Sequence, residues 1–226
     1  MNKPKIYLGG DIMTKGSKLA REEEYQQVMN ANINADIYSP IKNDSINDKS
    51  AMTKEENDHL AEKIVKADID RLLDSDAVVM CPEQHAIGSM CETGVLYGWK
   101  YMAHYLKCLI LTYTNKGEYE YDALLAVWNA LIKLENKDVY YHYDDIRTNN
   151  LDEKNFRRSF GINQMLYGMM ILSTTDEAIE MTNNDNKGVL KMEQIIDILK
   201  NKYGEDDMEV LIDNGKEYEC TSQKMA

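Results

Sequence analysis

Two carboxylates in this sequence occupy places where apolar side chains belong. Leu60, Ile64, Asp68 and Leu72 recur every four residues, with Ala61, Val65, Ile69 and Leu73 beside them. That is a core-facing stripe at helical spacing, and Asp68 interrupts it. Asp70 and Asp74 fall off its centre and read as solvated charges. Glu92 repeats the oddity, sharing one side of the next helix with Leu96, Trp99 and Ala103 and lying in its first turn. A buried carboxylate without a partner is costly, so it marks either a partner or a chemical role. The two environments predict opposite tuning. The helix N-terminus favours an ionised Glu92, and apolar neighbours push Asp68 toward the neutral acid. One anion and one acid in one pocket can carry out nucleophilic attack with protonation of a leaving group. The same spacing also fits a capping glutamate and an aspartate paired to a lysine.

The elements that must position this pair follow from periodicity. A buried strand, Ala77–Cys81, separates the two helices, and a loop containing Gly88 precedes the second. Upstream, residues 5–8 form a strand ending in Gly9, Gly10 and Asp11, the usual ligand edge of an open α/β sheet. The third glycine of the dinucleotide fingerprint is absent, so a tight turn explains these glycines equally well. Residues 17–29 read as a helix whose apolar side is Leu19, Tyr25, Val28 and Met29, and residues 36–39 as a strand stopped by Pro40. A polar loop over 41–51 carries Asn47 and Asp48. Residues 107–113, KCLILTY, have the look of a further buried parallel strand. Gly94 and Gly98 are four apart on the Glu92 helix and predict close packing of another backbone there.

Further on, residues 118–134 predict a helix with Tyr121, Leu124, Leu125, Trp128, Leu131 and Ile132 inward, and 138–143 a strand. The apolar segment 161–172 surrounds Asn163 and Gln164 and reads as buried, and 190–203 reads as a helix. Asn214-Gly215 between two short runs is a hairpin signal, giving a C-terminal appendage over 205–226 after a main domain of 1–204. Alternating strands and helices predict a three-layer α/β sandwich around a central, mostly parallel sheet.

Composition narrows the function classes. The chain has 226 residues, 43% hydrophobic and 29% charged, and a net charge of −13, which fits a globular domain. The absence of a basic stripe argues against nucleic acid polymers and anionic membranes as partners. Cys81, Cys91, Cys108 and Cys220 form no CxxC pair, and Cys81 and Cys108 sit in apolar runs. They read as reduced core residues of a cytoplasmic protein. The four histidines are scattered, which argues against a metal site. The opening MNKPKIYLGG reads as a strand rather than a signal peptide, and no apolar run reaches the roughly 18–20 residues of a membrane span.

The ordered set of motifs resembles the nucleoside 2-deoxyribosyltransferase family. The matching pieces are Lys5-Ile6-Tyr7-Leu8-Gly9-Gly10, Ile46-Asn47-Asp48-Lys49, Ala67-Asp68, Ser75-Asp76-Ala77-Val78-Val79 and Gly88-Ser89-Met90-Cys91-Glu92-Thr93-Gly94. Tyr143-Asp144-Asp145-Ile146-Arg147 and Asn163-Gln164-Met165-Leu166-Tyr167 extend the match more loosely. The resemblance implies a flavodoxin-like fold and a retaining exchange of bases on 2′-deoxynucleosides. Glu92 would attack C1′ and Asp68 would protonate the departing base. Tyr7 would hold Glu92 by a hydrogen bond. Independently of the resemblance, the strand carboxyl ends predict one crevice lined by Gly9, Gly10, Asp11, the loop 43–49, residues 88–92 (with Gly88 and Ser89) and residues 144–147. Asn47 and Asp48 would stand near the base. Asn163 would reach a neighbouring subunit's site in a homo-oligomer. No cofactor is implied, since attack and protonation both come from side chains.

Two departures bear on this. The family carries an aspartate six residues before the nucleophile for the sugar 5′-hydroxyl, and related nucleotide N-glycosidases carry a serine. Here the position is Ala86, which leaves nucleoside against nucleotide open, with His85 or Ser89 as substitutes. Residues 114–138 resemble a helical insertion. The competing readings are an N-glycosidase that uses water as acceptor and a non-catalytic nucleotide-binding module.

Overall fold

The computed structural model describes residues 3–43, 53–54, 59–83, 86–114, 121–142, 164–182 and 188–204. Five parallel strands, β1 (Lys5–Gly10), β2 (Asp36–Tyr38), β3 (Ala77–Cys81), β4 (Asp138–His142) and β5 (Val189–Leu190), form one sheet in the order β2-β1-β3-β4-β5. This is the flavodoxin-like winding, with its switch point between β1 and β3.

Strand alternation splits the core into two. Tyr7, Val78, Met80, Val139 and Tyr141 face one layer. That layer contains α2 (Leu60–Asp74), α3 (Ile87–Thr114) and α5 (Gln164–Ser173). Ile6, Leu8, Val79 and Tyr140 face the other, built from α1 (Lys15–Asn30), α6 (Asp176–Glu180) and α7 (Met192–Tyr203). The middle of β1 and all of β3 and β4 are thereby buried on one side or the other, while edge strand β2 stays partly exposed. The three-layer sandwich expected from the sequence is present.

Several local expectations change. Residues 107–113 are not a strand. They continue α3, which runs 28 residues to Thr114. An apolar run has no period that separates strand from buried helix. No glycine or proline interrupts the chain after Trp99 to end the helix. The place beside β3 is taken by β4 instead. The two-residue strand β5 lies where the sequence suggested the start of the last helix.

On α2, Leu60 and Leu72 are buried, but Val65 and Leu73 are exposed, so the stripe is narrower than its periodicity suggested. Among the described residues, no backbone closely approaches the glycines of α3. A Cβ on Gly94 would only touch Met169, and one on Gly98 would meet open space. Helix α4 (Tyr121–Glu135), within the expected insertion, packs along α3 as a helical hairpin. Lys107 and His104 both reach Glu135, and Lys107 lies over the Trp128 ring. Leu125, expected inward on α4, is exposed. Cys108 is exposed as well, and only Cys81 of the described cysteines is core.

Helix α1 turns a different face inward from the one its apolar residues suggested. It starts at a capping box between Thr14 and Ser17. Its buried residues are Ser17, Arg21, Glu24 and Val28, while Leu19 and Met29 are exposed. Arg21 and Glu24 form an ion pair of 2.5 Å, and the Arg21 side chain occupies the space beside Gly10. A Cβ there would stand 2.1 Å from Nη1 and 2.7 Å from Cδ of Arg21. Gly10 is therefore a packing requirement for a buried guanidinium. Gly10→Ala should displace Arg21 from Glu24 and destabilise the protein by about 3 kcal/mol, read as a lower urea midpoint at unchanged slope.

Candidate active site

The site forms on the α2–α3 face, where β1 and β2 end in register. Tyr7 pairs with Tyr38 across the two strands, and their ring centroids are 5.5 Å apart. Tyr7 is fully buried and donates its hydroxyl to Glu92 Oε1 at 2.8 Å. The Tyr38 hydroxyl lies close enough to Asp68 to pull its pKa down and accepts from Asn43 Nδ2 at 3.2 Å. Arg71, one turn beyond Asp68 on α2, lies over the Tyr38 ring at 5.1 Å. Glu92 is thus held by the Tyr7 phenol, Asp68 has the Tyr38 phenol nearby, and the two rings pack at a tilt of 33°. Glu92 and Asp68 are close enough for the Asp68 charge to act on Glu92, and Tyr7 senses both.

The electrostatics differ from the sequence expectation in one respect. Burial raises Asp68 to about 6, against the hydrogen bond from Tyr38, as expected. Burial also raises Glu92, to about 7, against the Tyr7 hydrogen bond and assisted by the Asp68 charge. Glu92 is not kept ionised by the helix end. Helix α3 begins at Ile87, which puts Glu92 beyond the first turn and its free N–H groups. Burial, followed by the neighbouring carboxylate charges, holds Tyr7 well above its ordinary value, so it remains a donor. Tyr7→Phe should raise Glu92 above about 7, because only the ionised carboxylate gains from that donor. A carboxyl carbon-13 titration of the variant checks the direction.

The other expected residues are distributed as follows. Gly9 lies on the Tyr7 side, where a Cβ would stand 2.7 Å from both the Tyr7 ring and the Met80 side chain. Gly10 belongs to the opposite face, against Arg21. Gly88 is exposed with open space beside it, and Ser89 is buried, its carbonyl accepting from the Thr93 hydroxyl at 2.8 Å. Ala86 is buried and offers no polar group for a sugar 5′-substituent. Asn47, Asp48, His85, the 143–147 segment, Asn163 and the 205–226 hairpin lie outside the described residues.

Tyr38 and Arg71 were not singled out from the sequence, whereas Asn43 opens the loop expected at the ligand crevice. The available signal was a tyrosine at the carboxyl end of an edge strand, aligned with Tyr7 once the strands pair. A cavity of about 700 Å³ opens beside them, lined by Tyr38, Lys42, Asn43, Asp70 and Arg71 among others. It adjoins Asp68 through Ala67, but neither Asp68 nor Glu92 is in its wall. A second cavity of about 820 Å³, by Lys100, Lys137 and Asp138, sits at the amino end of β4, away from the pair.

As a chemical unit, the site is two neighbouring carboxyls, each raised by burial, with the Asp68 charge acting on Glu92 and the Tyr7 phenol bonded to Glu92. It can supply a nucleophile and a proton to one substrate, with no metal or cofactor required for either step. No known protein-family profile matches this chain, and no curated protein is similar to it. Among solved structures it is similar to a conserved protein from Enterococcus faecalis V583, with 18% identity over 89% of this chain and 99% of that one and a TM-score of 0.54. That likeness extends to the fold, a flavodoxin-like α/β sandwich.

Proposed function

We propose that this protein is a glycosyltransferase that exchanges the base of 2′-deoxynucleosides through a covalent deoxyribosyl-glutamate. The observation that carries the reading is the Tyr7–Glu92 hydrogen bond of 2.8 Å in a buried site shared with Asp68. In the first half-reaction a Glu92 carboxylate oxygen bonds to C1′ as the C1′–N bond breaks, and Asp68 gives its proton to the departing base. In the second half, a nitrogen of the incoming base bonds to C1′, the ester C–O bond breaks, and Asp68 takes the proton back. The two inversions restore the original configuration. Tyr7 steadies Glu92 as its charge is released, and Tyr38 orients Asp68 between transfers.

Incubating deoxyinosine with and without adenine tests this. Deoxyadenosine formed only with adenine supports transfer. Free deoxyribose at the same rate in both tubes makes the protein an N-glycosidase, and no product in either leaves only a binding module.

The reading has a pH signature. The productive state has one proton, on Asp68, with Glu92 ionised. Burial raises both groups, Asp68 to about 6 and Glu92 to about 7, so the pair shares one proton near neutral pH. The rate constant kcat/KM should peak between about 6 and about 7 and fall on both sides. A flat profile from pH 5 to 9 would remove the acid–base assignment.

Oligomerisation through the α3–α4 hairpin belongs to the same proposal. Tyr101, Met102, Tyr105 and Leu111 of α3 and Val127 of α4 expose apolar surface there. Among the described residues no helix is long and apolar enough to cross a membrane.

A further inference from the structure

On the opposite face of the sheet from Glu92, three potential metal ligands converge. Cys81 ends β3, His142 ends β4, and Glu24 projects from α1. All three are buried, and one ligand atom from each lies within 4.8 Å of the others. His142 Nε2 is 3.4 Å from Glu24 Oε1. Tetrahedral zinc holds sulfur at about 2.3 Å and nitrogen or oxygen at about 2.0–2.2 Å, which sets ligands roughly 3.3–3.8 Å apart. A small inward adjustment of three side chains meets that requirement. We propose that Glu24, Cys81 and His142 form a binding site for a zinc-like divalent cation that ties α1 to the carboxyl ends of β3 and β4.

The surroundings fit such a site. A Cys–His–carboxylate set selects a borderline transition metal over magnesium or calcium, which take oxygen ligands. Binding converts the thiol to a thiolate and releases its proton to solvent. Thiolate and Glu24 carboxylate then neutralise the dication. The remaining charges also balance, since Arg21 lies 3.7 Å from Glu83. Arg21 at 2.5 Å from Glu24 fixes the carboxylate's orientation, as hydrogen-bonded neighbours of metal ligands do. Glu83 Oε1 accepts from the Cys81 thiol at 3.7 Å but is not one of the three converging ligands. The sequence spacing conceals this set because its members come from three distant elements.

The test uses the full chain, stripped of metal with a chelator and titrated with zinc and then cobalt. We expect one equivalent to bind, the melting temperature to rise, and cobalt to give a thiolate charge-transfer band with tetrahedral d–d intensity. Cys81→Ser and His142→Gln should each weaken binding at least about tenfold. A variant with Cys91, Cys108 and Cys220 all changed to Ser retains Cys81 and should keep the full cobalt spectrum. This variant decides the matter even where the ligand variants fail to fold. Absence of stoichiometric binding to the wild type, or loss of the spectrum in the triple variant, would overturn the proposal and leave a buried ion-pair cluster. Catalytic activity enters none of these readouts, so the outcome is independent of the assignment of Glu92 and Asp68.

Discussion

Glu92→Gln should reduce base exchange by on the order of 10⁴-fold or more while leaving the fold intact, because it removes the proposed nucleophile. The amide still accepts from Tyr7, so the hydrogen bond of 2.8 Å has a counterpart in the variant. A second effect distinguishes a catalytic carboxyl from a structural one. Burial raises Glu92 from 4.5 to about 7 in the folded protein. The unfolded chain therefore gives up this proton first as pH rises. Folding stability should fall between pH 4.5 and about 7 and level off above. The difference is on the order of 3 kcal/mol. The Gln variant lacks that decline, so at pH 8 it should be more stable than the wild type in urea titrations. A capping or salt-bridged glutamate would give the reverse, a less stable variant. Mass spectrometry completes the test. Brief exposure of the wild type to a deoxynucleoside should leave one deoxyribosyl group on the peptide containing Glu92, and an adduct on Asp68 would exchange the two roles.

Asp68→Asn should slow the reaction by about 10²–10⁴-fold, the usual contribution of a positioned general acid. The loss should be greatest for bases that leave poorly without protonation and least for activated leaving groups. Equal losses across a series of bases would end its assignment as the acid. The variant also removes a negative charge that raises Glu92. Glu92 should then ionise at lower pH, and the part of the kcat/KM profile it governs should move in the acid direction. An aspartate serving only to position Tyr38 would slow all bases alike.

The sequence alone located β1, β2, β3 and β4 and singled out the two anomalous acids. Strands β1 and β3 are short apolar runs bounded by polar residues and glycine, so local physics suffices to place them. Asp68 and Glu92 stood out because a charge in a helical stripe is visible without any tertiary information. The sequence could not fix the 107–113 run, whose apolar residues suit a strand or a buried helix until β4 takes the place beside β3. Nor could it choose the inner face of α1, because Arg21 and Glu24 become tolerable in the interior only when each is the other's counter-charge and Gly10 leaves them room. The tuning of Glu92 was likewise a tertiary matter. Its pKa depends on how far burial outweighs one phenol, and on the first turn of α3 ending before it is reached. Tyr38 beside Asp68, and Cys81 beside Glu24 and His142, are products of strand register and helix docking. Side chains far apart in the chain meet only when the sheet aligns them, and periodicity along one segment contains no record of its neighbours.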